Sequence, residues 1–225
     1  MTVQVRIGLT AGALIFGFGA ALAVFGQTFG ETYQIPGWGL AGTNRYAYFI
    51  GLDRETKHGG EASITVRCDS GHCDKFGDIV QTIRAGAYLG QRLCLSAWVK
   101  GRKAGHVGLW MRVDASDSSQ IQLDNMRLRG KSGTFDWRRM YIVLDVPPPG
   151  ALIHFGLILE GAGQAWLDDV TLEPVAADTK STNLYRRPTG PIDGAENARR
   201  TYARSPEHPV NLDFEQPVVP VKARR

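Results

Sequence analysis

The chain has 225 residues, 43% hydrophobic and 21% charged, with 27 glycines, 11 prolines and 3 cysteines. This composition excludes wholesale disorder and a disulfide-rich scaffold, and it suits one globular domain with extensions or at most two small domains. The net charge of +4 raises the question of an acidic partner, but residues 1–175 carry 17 basic against 16 acidic side chains and residues 176–225 carry 9 against 6. The basic character therefore belongs mainly to the tail.

From Ile7 to Gly30 no residue is charged, and Arg6 with the amino terminus makes a short positive flank. The apolar run to Ala20 followed by Ala21-Leu22-Ala23 reads as a hydrophobic helix, either a secretory signal peptide with its cleavage site or an uncleaved signal anchor. Both readings put the remainder outside the cytoplasm, periplasmic or secreted. No cysteine lies near the segment, which excludes a lipoprotein anchor.

The body, residues 31–175, reads as antiparallel strands. Strand character covers Ala62–Cys68, Gly77–Arg84, Arg92–Lys100, Val107–Asp114, Ile121–Asn125, Trp137–Val146, Ile153–Glu160 and Ala165–Glu173. Leu93, Leu95, Ala97 and Val99 share one face, as do Leu109, Met111 and Val113, then Met140, Ile142, Leu144 and Val146. Period-2 alternation means one buried face. Eight such runs at short spacing, without room for crossover helices, predict an all-β antiparallel sandwich or jelly roll. Residues 176–208 are polar, basic and mostly irregular, a linker with a short helix over Gly194–Arg204 as one alternative. Residues 209–225 form a tail in which Leu212 and Phe214 alternate with Asp213 and Glu215.

Three passages resemble a known family. They are His58-Gly59-Gly60-Glu61-Ala62-Ser63-Ile64 after Asp53; Ala87-Tyr88-Leu89-Gly90-Gln91-Arg92-Leu93-Cys94-Leu95-Ser96-Ala97-Trp98-Val99; and Ala165-Trp166-Leu167-Asp168-Asp169-Val170-Thr171-Leu172. Their order and spacing over residues 45–175 are similar to the galactose-binding-like jelly rolls of carbohydrate-binding modules in bacterial exported proteins. Such domains open with a strand that is missing before Trp38. Val210–Glu215 carries the corresponding pattern, which predicts a strand returning from the C-terminus; the alternatives are a truncated second domain and an unstructured tail.

The resemblance implies a carbohydrate ligand and a structural calcium ion. Candidate calcium ligands are Asp53, Asp168, Asp169 and Glu215, with backbone carbonyls around His58–Gly60. The alternative is that these are turn carboxylates accepting backbone amides. For the sugar, the faces opposite the core offer Trp110, Arg112, Gln122, Asp124, Tyr141 and His154. Rings stack on the apolar faces of sugars, and amides, carboxylates and guanidiniums bind hydroxyls. These residues form a platform only if their strands share one sheet; otherwise they are ordinary outward polar groups. Trp98 reads as packing.

Cys68 and Cys73 bracket Asp69-Ser70-Gly71-His72, which in an exported protein suggests a hairpin disulfide. Cys94 reads as a packed thiol. Catalytic signatures are absent: Gly130-Lys131-Ser132 lacks the first glycine of a phosphate loop, and there is no nucleophile elbow. The sequence therefore predicts a non-catalytic extracytoplasmic binding module. Its partner would be a glycan or other envelope component, with the membrane added if the N-terminal segment stays uncleaved. Nucleic acid is not expected. The alternative is a structural or assembly protein that uses the sandwich to bind another protein.

Overall fold

A computed structural model describes residues 32–69, 71–184 and 189–221. The N-terminal hydrophobic segment lies outside the described residues. The strands are β1 (Thr32–Gln34), β2 (Gly39–Ala41), β3 (Phe49–Asp53), β4 (Ser63–Cys68), β5 (Phe76–Arg84), β6 (Arg92–Ala115), β7 (Gln120–Asp124), β8 (Lys131–Asp145), β9 (Gly150–Glu160), β10 (Gly163–Val175) and β11 (Val219–Val221). Among the described residues one α-helix, α1 (Ala195–Arg204), lies between β10 and β11.

The organising element is β6. The sequence predicts two strands here; the structure has one 24-residue strand with a bend. Lys103 takes a left-handed φ of 49°. Glycines flank it for steric reasons: a Cβ on Gly101 would fall 2.3 Å from the Phe135 ring, and one on Gly105 2.1 Å from the Glu160 carbonyl oxygen. Before the bend, β6 pairs with β10 and with most of β8, whose first residues follow it past the bend, Gly133 opposite Ala104 and Lys131 opposite Val107. After it, β6 pairs with β9 and β7. The bend thus divides the strands into sheet A, ordered β3-β4-β10-β6-β8, and sheet B, ordered β2-β5-β9-β6-β7. All the named pairings are antiparallel.

The alternation of β6 feeds one core from both halves. Leu93, Leu95, Ala97 and Val99 point inward from sheet A, and Val107, Leu109, Met111 and Val113 from sheet B. All belong to the buried cluster with Ile142, Leu144, Phe155 and Leu157. Two inner faces packed over a shared apolar layer make an antiparallel β-sandwich.

The segment after β10 is pinned to this sandwich, mostly as irregular chain with α1 as its helix. Thr182 N–H donates to the Val143 carbonyl and Leu184 N–H to the Leu123 carbonyl. Residues 181–184 thereby cover the exposed edges of β8 and β7, where unpaired backbone would otherwise invite association. Thr189 and Ile192 then bond to Gln120 and Ser118, and after α1 the Arg84 side chain donates to the Ser205 carbonyl.

Val210–Glu215 does come back across the sandwich, but not as the expected strand. Left-handed φ values at Asn211 (51°) and Phe214 (61°) break the extended geometry. Side chains and single backbone bonds anchor it instead. The Trp38 indole donates to the Asn211 carbonyl at 2.9 Å, Gln81 bonds both polar groups of Val210, and Val170 N–H donates to the Leu212 carbonyl. Phe214 is fully buried against Trp38, with ring centroids 5.2 Å apart. Further on, β11 pairs with β1, joining the two ends of the described chain.

Candidate functional site

The inward phase of Met140, Ile142 and Leu144 in β8 forces Trp137, Arg139 and Tyr141 to the outward face of sheet A. Trp98 lies opposite Arg139 and Ser96 opposite Tyr141 in the β6–β8 register. The inward phase of Ala97 and Val99 sends Trp98 outward in the same way. The four side chains therefore share one outer surface. Tyr141 is 55% exposed, Arg139 is exposed, and both tryptophans are part-exposed.

The loop after β3 completes this surface. His58 lies on Trp98 with ring centroids 3.9 Å apart and planes 14° apart, and it meets Trp137 edge-on at 5.7 Å. Its Nδ1 sits 2.6 Å from Asp169 Oδ2. The loop is held by Asp168, whose Oδ2 accepts the N–H groups of His58 (2.7 Å) and Gly59 (3.2 Å), while Oδ1 accepts that of Asp169. Burial pushes the Asp168 carboxyl up, against the pull of these amides. Polar groups fill the spaces between the rings. Arg139 donates to Ser96 Oγ at 3.1 Å, Ser96 Oγ is 2.9 Å from Thr171 Oγ1, and Lys100 pairs with Asp136 at 2.7 Å.

Beside Tyr141 lies a pocket of about 390 Å³ lined by Met126, Arg129, Lys131, Arg138, Arg139, Met140 and Tyr141. It takes in both phases of β8, since Arg138 and Met140 stand opposite the inward Val99 and Ala97, and Arg139 and Tyr141 opposite Trp98 and Ser96. The Arg129 guanidinium lies over the Tyr141 ring, 5.9 Å from its centroid, and bonds the Asp124 carboxylate and the Tyr141 carbonyl.

The expected sugar platform is divided among three places. Trp110, Arg112 and His154 do share a face, the outward face of sheet B. There Arg112 and His154 Nε2 reach Asp114, at 2.8 and 3.1 Å, and His154 Nδ1 is 2.9 Å from Thr82 Oγ1. Trp110 is only 9% exposed, so its ring is covered and no stacking surface is open. Asp78 on the same face is 5% exposed, and burial raises its carboxyl to about 6 despite the pull of Arg112. Gln122 and Asp124 face the other way: the register sets them opposite Val113 and Met111, the inward residues of β6. Tyr141 belongs to sheet A. The platform is divided for two reasons: the β7 register turns Gln122 and Asp124 inward, and outward phase says nothing about which sheet a residue belongs to.

Trp98, Trp137 and His58 were missed as surface residues. The signal was present for the first two, since the apolar alternation of their strands already places them outward. For His58 no local signal exists; a stack across 40 residues of chain is a tertiary fact.

The four proposed calcium ligands do not fit one ion. Asp53 Oδ1 accepts the N–H groups of Glu55 and Thr56, and its Oδ2 accepts the Trp166 indole. Glu215 Oε1 accepts the N–H groups of Glu61 and Ala62. With Asp168 and Asp169 engaged as above, these oxygens answer N–H donors rather than facing a common centre. Among the described residues no group of three or more His, Cys, Asp or Glu side chains could hold a metal ion. The cysteine expectation holds: Cys68 and Cys73 are disulfide-bonded, with Cα atoms 6.0 Å apart, and Cys94 is free.

Comparison with known proteins gives the fold class. The chain has the antiparallel β-sandwich fold of carbohydrate-binding modules. It superposes on the CBM22-1 xylan-binding domain of Paenibacillus barcinonensis Xyn10C with a TM-score of 0.50 at 14% identity, covering 63% of this chain and 87% of that one. It superposes equally on the enzymatically active domain of Bacteriophage CBA120 tailspike protein 4, with a TM-score of 0.51 at 12% identity, covering 63% of this chain and 20% of that one. Such identities carry the fold alone. In sequence, the chain is 38% identical over 188 residues to an uncharacterized HTH-type transcriptional regulator, YbfP, of Bacillus subtilis (strain 168). That match takes in 81% of this chain and 58% of the regulator, so the chain spans less than two thirds of that relative's length. No family model matches the chain.

Proposed function

We propose that the chain is a non-catalytic, extracytoplasmic glycan-binding sandwich that takes its ligand on the outward face of sheet A. The observation that carries the reading is the outward row Trp137–Arg139–Tyr141 on β8 with Trp98 across from it. Side chains two apart on a strand stand roughly 7 Å apart, so the row offers rings and hydrogen-bond donors at intervals along a sugar chain. The xylan-binding neighbour supports a saccharide ligand for this fold. Export is supported by the uncharged run from Ile7 to Gly30 and by the Cys68–Cys73 disulfide, a bond that persists in oxidising compartments. Binding without cleavage is supported by the state of the carboxylates nearest the rings, since Asp136 is paired with Lys100 and Asp169 with His58.

The test is calorimetric titration of the full chain with a panel of neutral and acidic oligosaccharides. Trp137→Ala and Tyr141→Ala should each weaken binding by about tenfold, the loss of one stacked ring. A chain that answers to no saccharide, or whose binding ignores both substitutions, would sink the reading.

The name of the Bacillus subtilis relative favours a second reading, a part of a DNA-binding regulator. Among the described residues there is one α-helix, so a two-helix DNA-reading unit is not among them. The two readings differ in compartment. A regulator works in the reducing cytoplasm, so alkylation of Cys68 and Cys73 in intact cells would favour it. A protected, oxidised pair together with no duplex-DNA binding at low salt would exclude it.

A further inference from the structure

We infer that the glycan is acidic, and that the pocket beside Tyr141 holds the carboxylate or sulfate of one of its sugars. This rests on the sheet A reading above and adds the ligand's charge. Four cationic side chains line the pocket: Arg129, Lys131, Arg138 and Arg139. Among the described residues only Arg129 of these is paired with a carboxylate, that of Asp124, which is fully buried and also accepts the Met126 N–H. That pairing neutralises one cation and leaves three. Lys131 and Arg138 are exposed and, among the described residues, have no carboxylate within ion-pair reach; Arg139 bonds only the neutral Ser96 hydroxyl.

The pocket is also partly ordered in advance. Arg129 is fixed by Asp124 and the Tyr141 carbonyl, and Arg139 by Ser96. Guanidiniums held this way present their remaining N–H groups at fixed angles, which suits a planar carboxylate or the oxygens of a sulfate. The half-exposed Tyr141 ring forms the pocket wall and offers an apolar face to the sugar that carries the anion. A neutral sugar would leave the mutual repulsion of three like charges around a cavity of about 390 Å³, screened only by solvent ions. An acidic one replaces that repulsion with charge-assisted hydrogen bonds. Leu128, 90% exposed on the adjoining loop, makes an anionic membrane the rival occupant, but a concave pocket with an aromatic wall fits a discrete sugar better than a flat headgroup layer.

The experiment titrates the full chain with trigalacturonate, a sulfated disaccharide and neutral xylotriose. The same titrations are run on Lys131→Gln/Arg138→Gln and on Trp137→Ala. Both substituted cations are exposed and unpaired, so the melting temperature of the double variant should match the parent. The expected result is that at least one acidic saccharide binds about tenfold or more tighter than xylotriose, and that the double variant loses this preference while keeping its xylotriose affinity. Equal affinity for acidic and neutral saccharides, or an acidic preference that survives in the double variant, overturns the inference and leaves the glycan reading standing. Absence of any saccharide binding overturns both. Binding to phosphatidylglycerol vesicles that the double variant loses, without any acidic saccharide response, overturns the inference in favour of a membrane surface.

Discussion

His58 lies flat on Trp98, 3.9 Å between ring centroids, while its Nδ1 sits 2.6 Å from Asp169. One interaction orients the ring and the other holds it down, so a loop residue becomes part of a sheet surface. Replacing it should uncover the indole. His58→Ala is expected to red-shift tryptophan emission and to lower stability by about 1 kcal/mol, the worth of one aromatic contact. Unchanged emission would show that the stack does not persist in solution.

Asp168 holds the loop that carries His58. Its side chain is buried, and its two oxygens take three backbone N–H groups. Asp168→Ala strands those donors away from water and should cost about 2–4 kcal/mol in urea unfolding. Asp168→Asn keeps one carbonyl oxygen and should cost less. Equal losses in both variants would mean that the carboxylate oxygen missing from both, and not the emptied space, sets the penalty.

Asp78 gives stability a pH dependence of known sign. Its carboxyl rises from 3.8 to about 6 because burial disfavours the charged form. Between those values the folded chain binds more proton than the unfolded chain, so this group's contribution to stability is lost as pH rises through about 4 to 6. Fully developed, the penalty is on the order of 3 kcal/mol. Asp78→Asn should therefore be more stable than the parent at pH 7.5, with the difference shrinking toward pH 4. A difference that is flat across this range would refute the assignment.

The returning C-terminal segment rests mainly on Phe214, which is fully buried beside Trp38. Phe214→Ala should cost about 3–5 kcal/mol, the usual penalty for emptying a phenylalanine site. Deleting residues 206–225 should cost at least as much, because the Trp38 indole and Gln81 also lose their partners on Asn211 and Val210. An unchanged melting temperature after deletion would show that the segment is not part of the folded unit.

Reduction of the Cys68–Cys73 disulfide frees a loop with a sequence separation of 5. A cross-link acts largely by restricting the unfolded chain, and closing so short a loop removes little chain entropy, so the expected loss is roughly 2 kcal/mol. Thermal melts with and without reductant measure it. A Cys68→Ser/Cys73→Ser variant, which leaves Cys94 as the only thiol, should reproduce the reduced value.

The sequence by itself determined the fold class. Strict alternation in Leu93–Val99, Met140–Val146 and Ile153–Leu159 admits only half-buried strands, and the short spacing admits only antiparallel neighbours. The same alternation already set Trp98 and Trp137 outward, because side-chain direction in a strand is a local property. What alternation does not encode is partnership. Arg92–Lys100 and Val107–Asp114 look like two separate strands, and only the bend at Lys103 shows that one strand serves both sheets. That bend separates Tyr141 from Trp110, and the β7 register turns Gln122 and Asp124 inward. Likewise, the carboxylates that looked like calcium ligands are spent on N–H groups supplied by the 55–62 loop. Tertiary structure decided these matters because each depends on contacts between residues tens of positions apart, and such contacts are fixed only when the two sheets close over their common core.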